Sequence, residues 1–128
     1  MFRKNLHLLL SVLIVIPAAL FYGLVPDVTL PFLLDFEVQS TDLKNVFRAI
    51  LGLYLTFSAL WIVGMVKAEF WDAATISNMV FMFGLVVGRT LSMILDGMPS
   101  PAFSLGIIGE LILAVFAAYQ YQKYKNAT

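Results

Sequence analysis

The stretch AATISNMVFMFGLVVGRTLSMIL, residues 73–95, carries a single charge, Arg89. It is long enough as a helix to span the hydrocarbon of a bilayer, which takes about 20 mostly apolar residues. A soluble helix of this length would alternate an apolar stripe with a charged face. Here apolar side chains surround the helix, so the solvent it implies is lipid. Three further stretches read the same way: residues 6–24, 45–66 and 102–121. The predicted fold is an all-α, integral membrane, antiparallel four-helix bundle in one transmembrane domain over residues 1–128.

The breaks between spans have local causes. Pro26 and Pro31 bracket the exit from the first span. Asp42 and Asp72 are placed to cap the second and third, since acidic side chains suit a helix N-terminus. Asp96-Gly97-Met98-Pro99-Ser100-Pro101 reads as a turn, with Ser100 capping and Pro101 at the first helical position. Pro17 lies inside the first span, where a bilayer tolerates a kink. The longer connection from Val25 to Lys44 contains Leu30-Pro31-Phe32-Leu33-Leu34, and reads as a short interfacial segment between helices 1 and 2. There is no internal repeat.

Composition agrees. Of 128 residues, 61% are hydrophobic and 12% charged, against about 45–50% and about 25% in soluble domains. The net charge is zero, which speaks against a nucleic-acid partner, because phosphates demand a basic field. Without cysteine the chain has no thiolate nucleophile, disulfide or Cys-ligated metal. One histidine, His7, is too few for the usual zinc sets. No metal and no cofactor are expected.

Orientation follows the basic residues near the helix ends. Arg3, Lys4, Lys67, Lys123 and Lys125 fall on one side. Lys44 falls on the other, with Asp27, Asp35, Glu37 and Asp42. Both termini are therefore expected in the cytoplasm of a bacterium, the protein lying in its inner membrane. Trp61, Trp71, Tyr119, Tyr121 and Tyr124 are expected as an aromatic belt on the cytoplasmic side. Arg3 and Lys4, the apolar run and Ala18-Ala19 also have the layout of a signal peptide. The length of the run and Pro17 near the cut favour a retained span.

Charged side chains within spans are functional-site candidates by default. Counting about 1.5 Å per residue from the helix ends, Arg48, Arg89 and Glu110 fall in one outer layer, with Asp96 at its mouth. An Arg89–Glu110 ion pair is expected, with Arg48 as a second cation near the carboxylate. At helical spacing Asn45, Arg48, Gly52, Thr56 and Ala59 share one face, expected to point inward. So do Asn78, Met82, Leu85, Arg89, Ser92 and Asp96, and so do Gly106, Glu110, Ala114 and Ala117. Small and polar residues line bundle interiors in lipid. Gly84 and Gly88 form a G-x-x-x-G, expected to serve an intramolecular helix contact ahead of a dimer contact. The inner half is expected to be dry, with His7 an interfacial residue, which disfavours a channel or pump.

The same residues resemble a known family. Asp42-Leu43-Lys44-Asn45-Val46-Phe47-Arg48-Ala49 and Gly52-Leu53-Tyr54 are similar to motifs of the domain of unknown function 4345 family of small bacterial membrane proteins. Gly88-Arg89-Thr90-Leu91-Ser92, Asp96-Gly97-Met98-Pro99-Ser100 and Gly109-Glu110-Leu111 continue the resemblance. It extends from about Pro26 onward and implies a bacterial four-helix membrane protein with no assigned activity.

Two roles stay open for Arg48, Arg89, Glu110, Asp96, Asn45 and Ser92: a structural ion-pair tie, or a ligand-binding site. The leading functional expectation is a non-enzymatic accessory subunit, or a binder of a small amphipathic or anionic ligand in an outward-facing pocket. The alternatives are a membrane enzyme on a lipid or isoprenoid-like substrate with Glu110 as acid/base, and a small-molecule transporter. Expected partners are the lipid bilayer and either a larger membrane complex, a second copy or such a ligand.

Overall fold

The computed structural model describes residues 2–126. They form α1 (Leu6–Gly23), α2 (Pro26–Leu33), α3 (Thr41–Val66), α4 (Trp71–Asp96) and α5 (Pro101–Tyr124), with 3-10 turns at Arg3–Asn5 and Ala68–Phe70. No strand occurs among the described residues. Four of the helical stretches are long and apolar enough to cross a membrane, with mean hydropathy between 1.6 and 2.2.

The predicted spans match α1, α4 and α5 within a few residues, whereas α3 starts four residues earlier than the expected Asn45. Its cap is Ser40 and not Asp42: the Ser40 hydroxyl accepts from the Leu43 N–H at 3.1 Å, and Asp42 sits in the first turn. Asp72 likewise lies inside α4, whose N-cap position is Phe70. Ser100 does hold the N-cap position of α5, but its hydroxyl accepts from the Asp35 N–H at 3.4 Å instead of capping. Gly97 has φ of +98°, a conformation that L side chains rarely adopt, so the turn before α5 needs glycine.

The start of α1, the end of α3, the start of α4 and the end of α5 meet at one end. Asn5 donates to Met65 O, His7 bonds Thr75, and Gln120 donates to Arg3 O. This is the termini end. The opposite, loop end holds α2 and the turn at residues 97–100.

Packing is uneven along the axis. Buried residues of α3 (Tyr54, Ser58, Trp61, Gly64), α4 (Trp71, Ala74, Thr75, Asn78, Met82) and α5 (Leu113, Ala114, Ala117, Gln120) all lie toward the termini end. Gly64 sets this closeness: a Cβ there would collide with the Ala74 Cβ and reach 3.3 Å from Phe70 O. Toward the loop end α1 and α3 stay tight, since a Cβ on Gly23 would lie 2.6 Å from Phe47 O. Between α3 and α4 there is no such closure. Gly84 and Gly88 have nothing within 4 Å of the site a Cβ would take, so they mediate no helix contact within the chain, contrary to the intramolecular expectation.

Trp61 and Trp71 are fully buried and belong to the core, not to a surface belt. Trp61 donates to Ser77 Oγ at 3.1 Å, and Trp71 stacks on Tyr121 under the Lys4 ammonium. An indole shields much apolar area, so core packing overrides its preference for an interface.

The connection after α1 is more ordered than an interfacial strip. Leu30, Leu34 and Val38, each four residues apart, are buried against Phe21, Tyr22, Phe36, Phe47 and Phe103. Phe32 and Leu33 point outward.

Candidate functional site

Arg89 and Glu110 form a two-pronged ion pair. Arg89 Nε donates to Glu110 Oε1 at 2.6 Å and Nη2 to Oε2 at 3.3 Å. The fork geometry of guanidinium matches a carboxylate, which makes such pairs stronger than single contacts. Their side chains keep 22% and 15% exposure, so the pair is neither surface nor sealed core. The guanidinium also lies 5.0 Å from the Phe103 ring centroid.

The pair is reachable because two cavities meet at Arg89. The larger, about 480 Å3, lies between α3 and α4 and includes Phe47, Ile50, Gly84, Gly88 and Ser92 in its wall. The smaller, about 200 Å3, includes Val15, Met82, Gly106, Glu110 and Leu113. Both share Tyr22, Tyr54, Leu85, Arg89 and Phe103. The Tyr22 ring stacks with Phe47 (13°) and with Phe103 (11°), so part of the wall is aromatic. Apolar walls with a few placed polar groups are the usual make-up of a small-molecule site.

The remaining sequence candidates are distributed differently from expectation. Ser92 lies in the cavity wall and donates to Asp96 Oδ2 at 2.9 Å, while Asp96 itself is exposed. Arg48 is not beside Glu110. Its Nη1 donates to Gly23 O and Leu24 O, both at 2.9 Å. A cation at a helix C-terminus complements the orphan carbonyls and the dipole there. Asn45 is exposed, as are Gly52, Thr56 and Ala59, so the small and polar face of α3 points outward. The interior face is instead Tyr54, Ser58 and Trp61. The preference for small polar interiors misassigned α3 because bulky aromatics fill the wide space it faces. On α4 and α5 the predicted inward faces hold through Asn78, Met82, Ala114 and Ala117, all buried.

A second polar group escaped sequence reasoning, and it overturns the expected dry inner half. His7 is fully buried, not interfacial. Its Nε2 meets Thr75 Oγ1 at 2.9 Å, and its ring stands edge-on to Trp71 and Phe116. Buried with it are Ser11, Ser58, Asn78 and Gln120. Both amide atoms of Asn78, His7 Nδ1 and the Ser11 and Ser58 hydroxyls have no hydrogen-bond partner among the described residues. The signal was the spacing of His7 with Ser11 and of Thr75 with Asn78, each pair on one helix face. What the sequence could not supply was depth. The buried polar residues thus lie toward the termini end, whereas the part-buried ion pair lies toward the loop end.

Among the described residues no three His, Asp or Glu side chains gather as a metal site. The chemistry on offer is hydrogen bonding and ion pairing against an aromatic wall. Residues 4–120 match the family model described as Domain of unknown function (DUF4345), and the chain belongs to that family. No curated protein and no solved structure matches the chain.

Proposed function

We propose that this member of the domain of unknown function 4345 family is a multi-pass protein of the bacterial inner membrane that binds a small amphipathic molecule beside Arg89 and Glu110. Its four long helices form an antiparallel bundle with both termini cytoplasmic. Supporting the insertion, the outward faces of α4 and α5 are apolar, with Val80, Val87, Ile94, Leu105 and Ile112 all more than 60% exposed. A contiguous apolar surface of this kind needs a non-aqueous partner. Supporting the orientation, Arg3, Lys4, Lys67, Lys123 and Lys125 cluster at the termini end.

The observation that carries the binding reading is an accessible ion pair where two apolar, partly aromatic cavities meet. A purely structural tie would gain nothing from adjoining empty volume. With Arg48 engaged elsewhere, the site holds one cation and one anion, so it favours an uncharged polar head over an anionic one. Glu110 accepts through both oxygens. That geometry holds it as an acceptor and supports binding over acid catalysis.

The test is mass spectrometry of small molecules retained by the purified protein, on the wild type, Arg89→Ala, Glu110→Ala and the swap Arg89→Glu with Glu110→Arg. Binding predicts that the single variants stay helical and lose a retained compound. If the singles unfold, the swap restores the fold, and no compound is retained by the wild type, the pair is only a strut and the reading is wrong.

A further inference from the structure

The cavity beside Arg89 has walls that differ by direction, and the difference says how an occupant arrives. Toward the termini end it is closed by Val15, Met82 and Leu113, below which α3 and α4 touch at Gly64 and Ala74. Toward the loop end it is covered. Leu30, Leu34 and Val38 pack onto Tyr22, Phe47 and Phe103, three of the rings that line it. Asp35 N–H donates to Ser100 Oγ, joining that cover to the turn before α5. Apart from the edge of the smaller cavity at Ile14, Ala102 and Gly109, exposed on α1 and α5, what remains open is the side between α3 and α4.

That side is lined on α4 by Gly84 and Gly88, one turn apart. Both are exposed, and a Cβ on either would touch nothing within 4 Å. Glycine in mid-helix lowers helix stability, and no neighbouring helix uses the room these two leave. Together they make a smooth trough along α4, leading from Arg89 to the outer surface. On the proposed membrane placement, that surface faces hydrocarbon and not water.

Resting on the binding reading above, the geometry points to a lipid that enters sideways from the bilayer, with an uncharged hydrogen-bonding head and a single apolar tail lying over Gly84 and Gly88. The head is specified by the ion pair. Arg89 commits two of its five N–H donors to Glu110, and the pair has no net charge. An alcohol-type head accepts from Arg89 and donates to Glu110. A sulfate or ammonium head would leave a charge unmatched in an apolar surround, which is costly. The stacked rings of Tyr22, Phe47 and Phe103 border the first part of the tail.

The experiment is photolabelling of the full chain in phosphatidylcholine nanodiscs by a long-chain alcohol carrying a mid-chain diazirine. The same chain ending in sulfate or in trimethylammonium serves as comparison. The alcohol should label peptides spanning residues 47–54 and 84–93, and the charged probes should label them about tenfold less, equivalent to ~1.4 kcal/mol. Gly84→Leu with Gly88→Leu should cut alcohol labelling by a similar factor while the circular dichroism stays helical. Ile50→Trp, which fills the trough from α3, should do the same and covers failure of the glycine variant to fold. Equal labelling by charged probes, or labelling unchanged by both fillings, overturns the inference. A short, water-soluble diazirine alcohol separates the two readings. If it labels in an Arg89-dependent way and the long chain does not, the cavity binds but the lateral route is wrong. If neither labels, both fall.

Discussion

Adding one methyl group at Gly64 should destabilise the protein, whereas adding it at Gly84 should stabilise it. Both glycines lie within long helices that take part in the α3–α4 pair. The contrast comes from what surrounds them. At Gly64 the new Cβ would overlap Ala74 Cβ, with Phe70 O at 3.3 Å and Trp71 Cα at 3.6 Å; at Gly84 it would meet nothing within 4 Å. Overpacking costs roughly 1–3 kcal/mol, and replacing glycine by alanine in a helix returns about 1 kcal/mol. With backbone-borne atoms on the far side, Gly64→Ala should lose up to about 2 kcal/mol net. Gly84→Ala should gain about 0.5–1 kcal/mol. The two differ by about 2 kcal/mol, roughly thirtyfold in the folding equilibrium.

The overlap is mainly with one methyl group, so it can be relieved. Adding Ala74→Gly to Gly64→Ala exchanges the two residues across the contact and keeps the helix-propensity balance. Stability should return close to wild type, a non-additivity expected of touching residues. The assay is unfolding in mixed micelles of rising SDS fraction, followed by circular dichroism. Equal effects at Gly64 and Gly84, or no rescue by Ala74→Gly, would refute the picture of helices tight at the termini end and parted at the other.

Three further predictions concern the polar groups. Asn78→Leu removes an amide with both atoms unpartnered at similar volume, and should stabilise by about 1–3 kcal/mol; a loss in the same SDS titration would mean the amide is hydrogen-bonded when folded. Ser40→Ala should cost about 1 kcal/mol through the lost α3 cap, seen as a lower thermal midpoint, while Asp42→Ala should cost less. Arg48→Ala leaves the Gly23 and Leu24 carbonyls without this donor and should lower stability by about 1 kcal/mol, discounted because the group is exposed. It should leave any compound retained beside Arg89 unchanged in the mass spectrum; loss of that compound would place Arg48 in the site after all.

Much of the helix pattern was legible because length and hydropathy are local properties. Residues 73–95 have one reading in any context, and the breaks at Pro26, Lys67–Phe70 and Gly97–Ser100 are written in residues whose backbone preferences are local too. The pairing of Arg89 with Glu110 was also legible. Adjacent helices joined by a short turn must bring residues at matched distances from that turn to one level, and two opposite charges in an apolar setting have few other partners. Gly97 could be placed at a turn for the same reason, since its positive φ is a demand of the chain itself.

Rotation and separation of helices belonged to the tertiary structure alone. Arg48 is as polar as Arg89 and falls in the same outer layer by the sequence, yet one sits against helix-end carbonyls and the other in a cavity wall. Which happens depends on the rotation of α3, whose buried Tyr54, Ser58 and Trp61 lie on nearly the opposite side of the helix from Arg48, Gly52 and Thr56, a result of packing many side chains at once. Likewise the sequence motif pointed to Gly84, and not Gly64, for a close helix contact. Only the tapering space between α3 and α4 makes Gly64 a close contact and Gly84 an open trough. The sequence determines four apolar helices with a charge pair toward one end; the uneven parting of those helices decides that the pair looks onto a cavity.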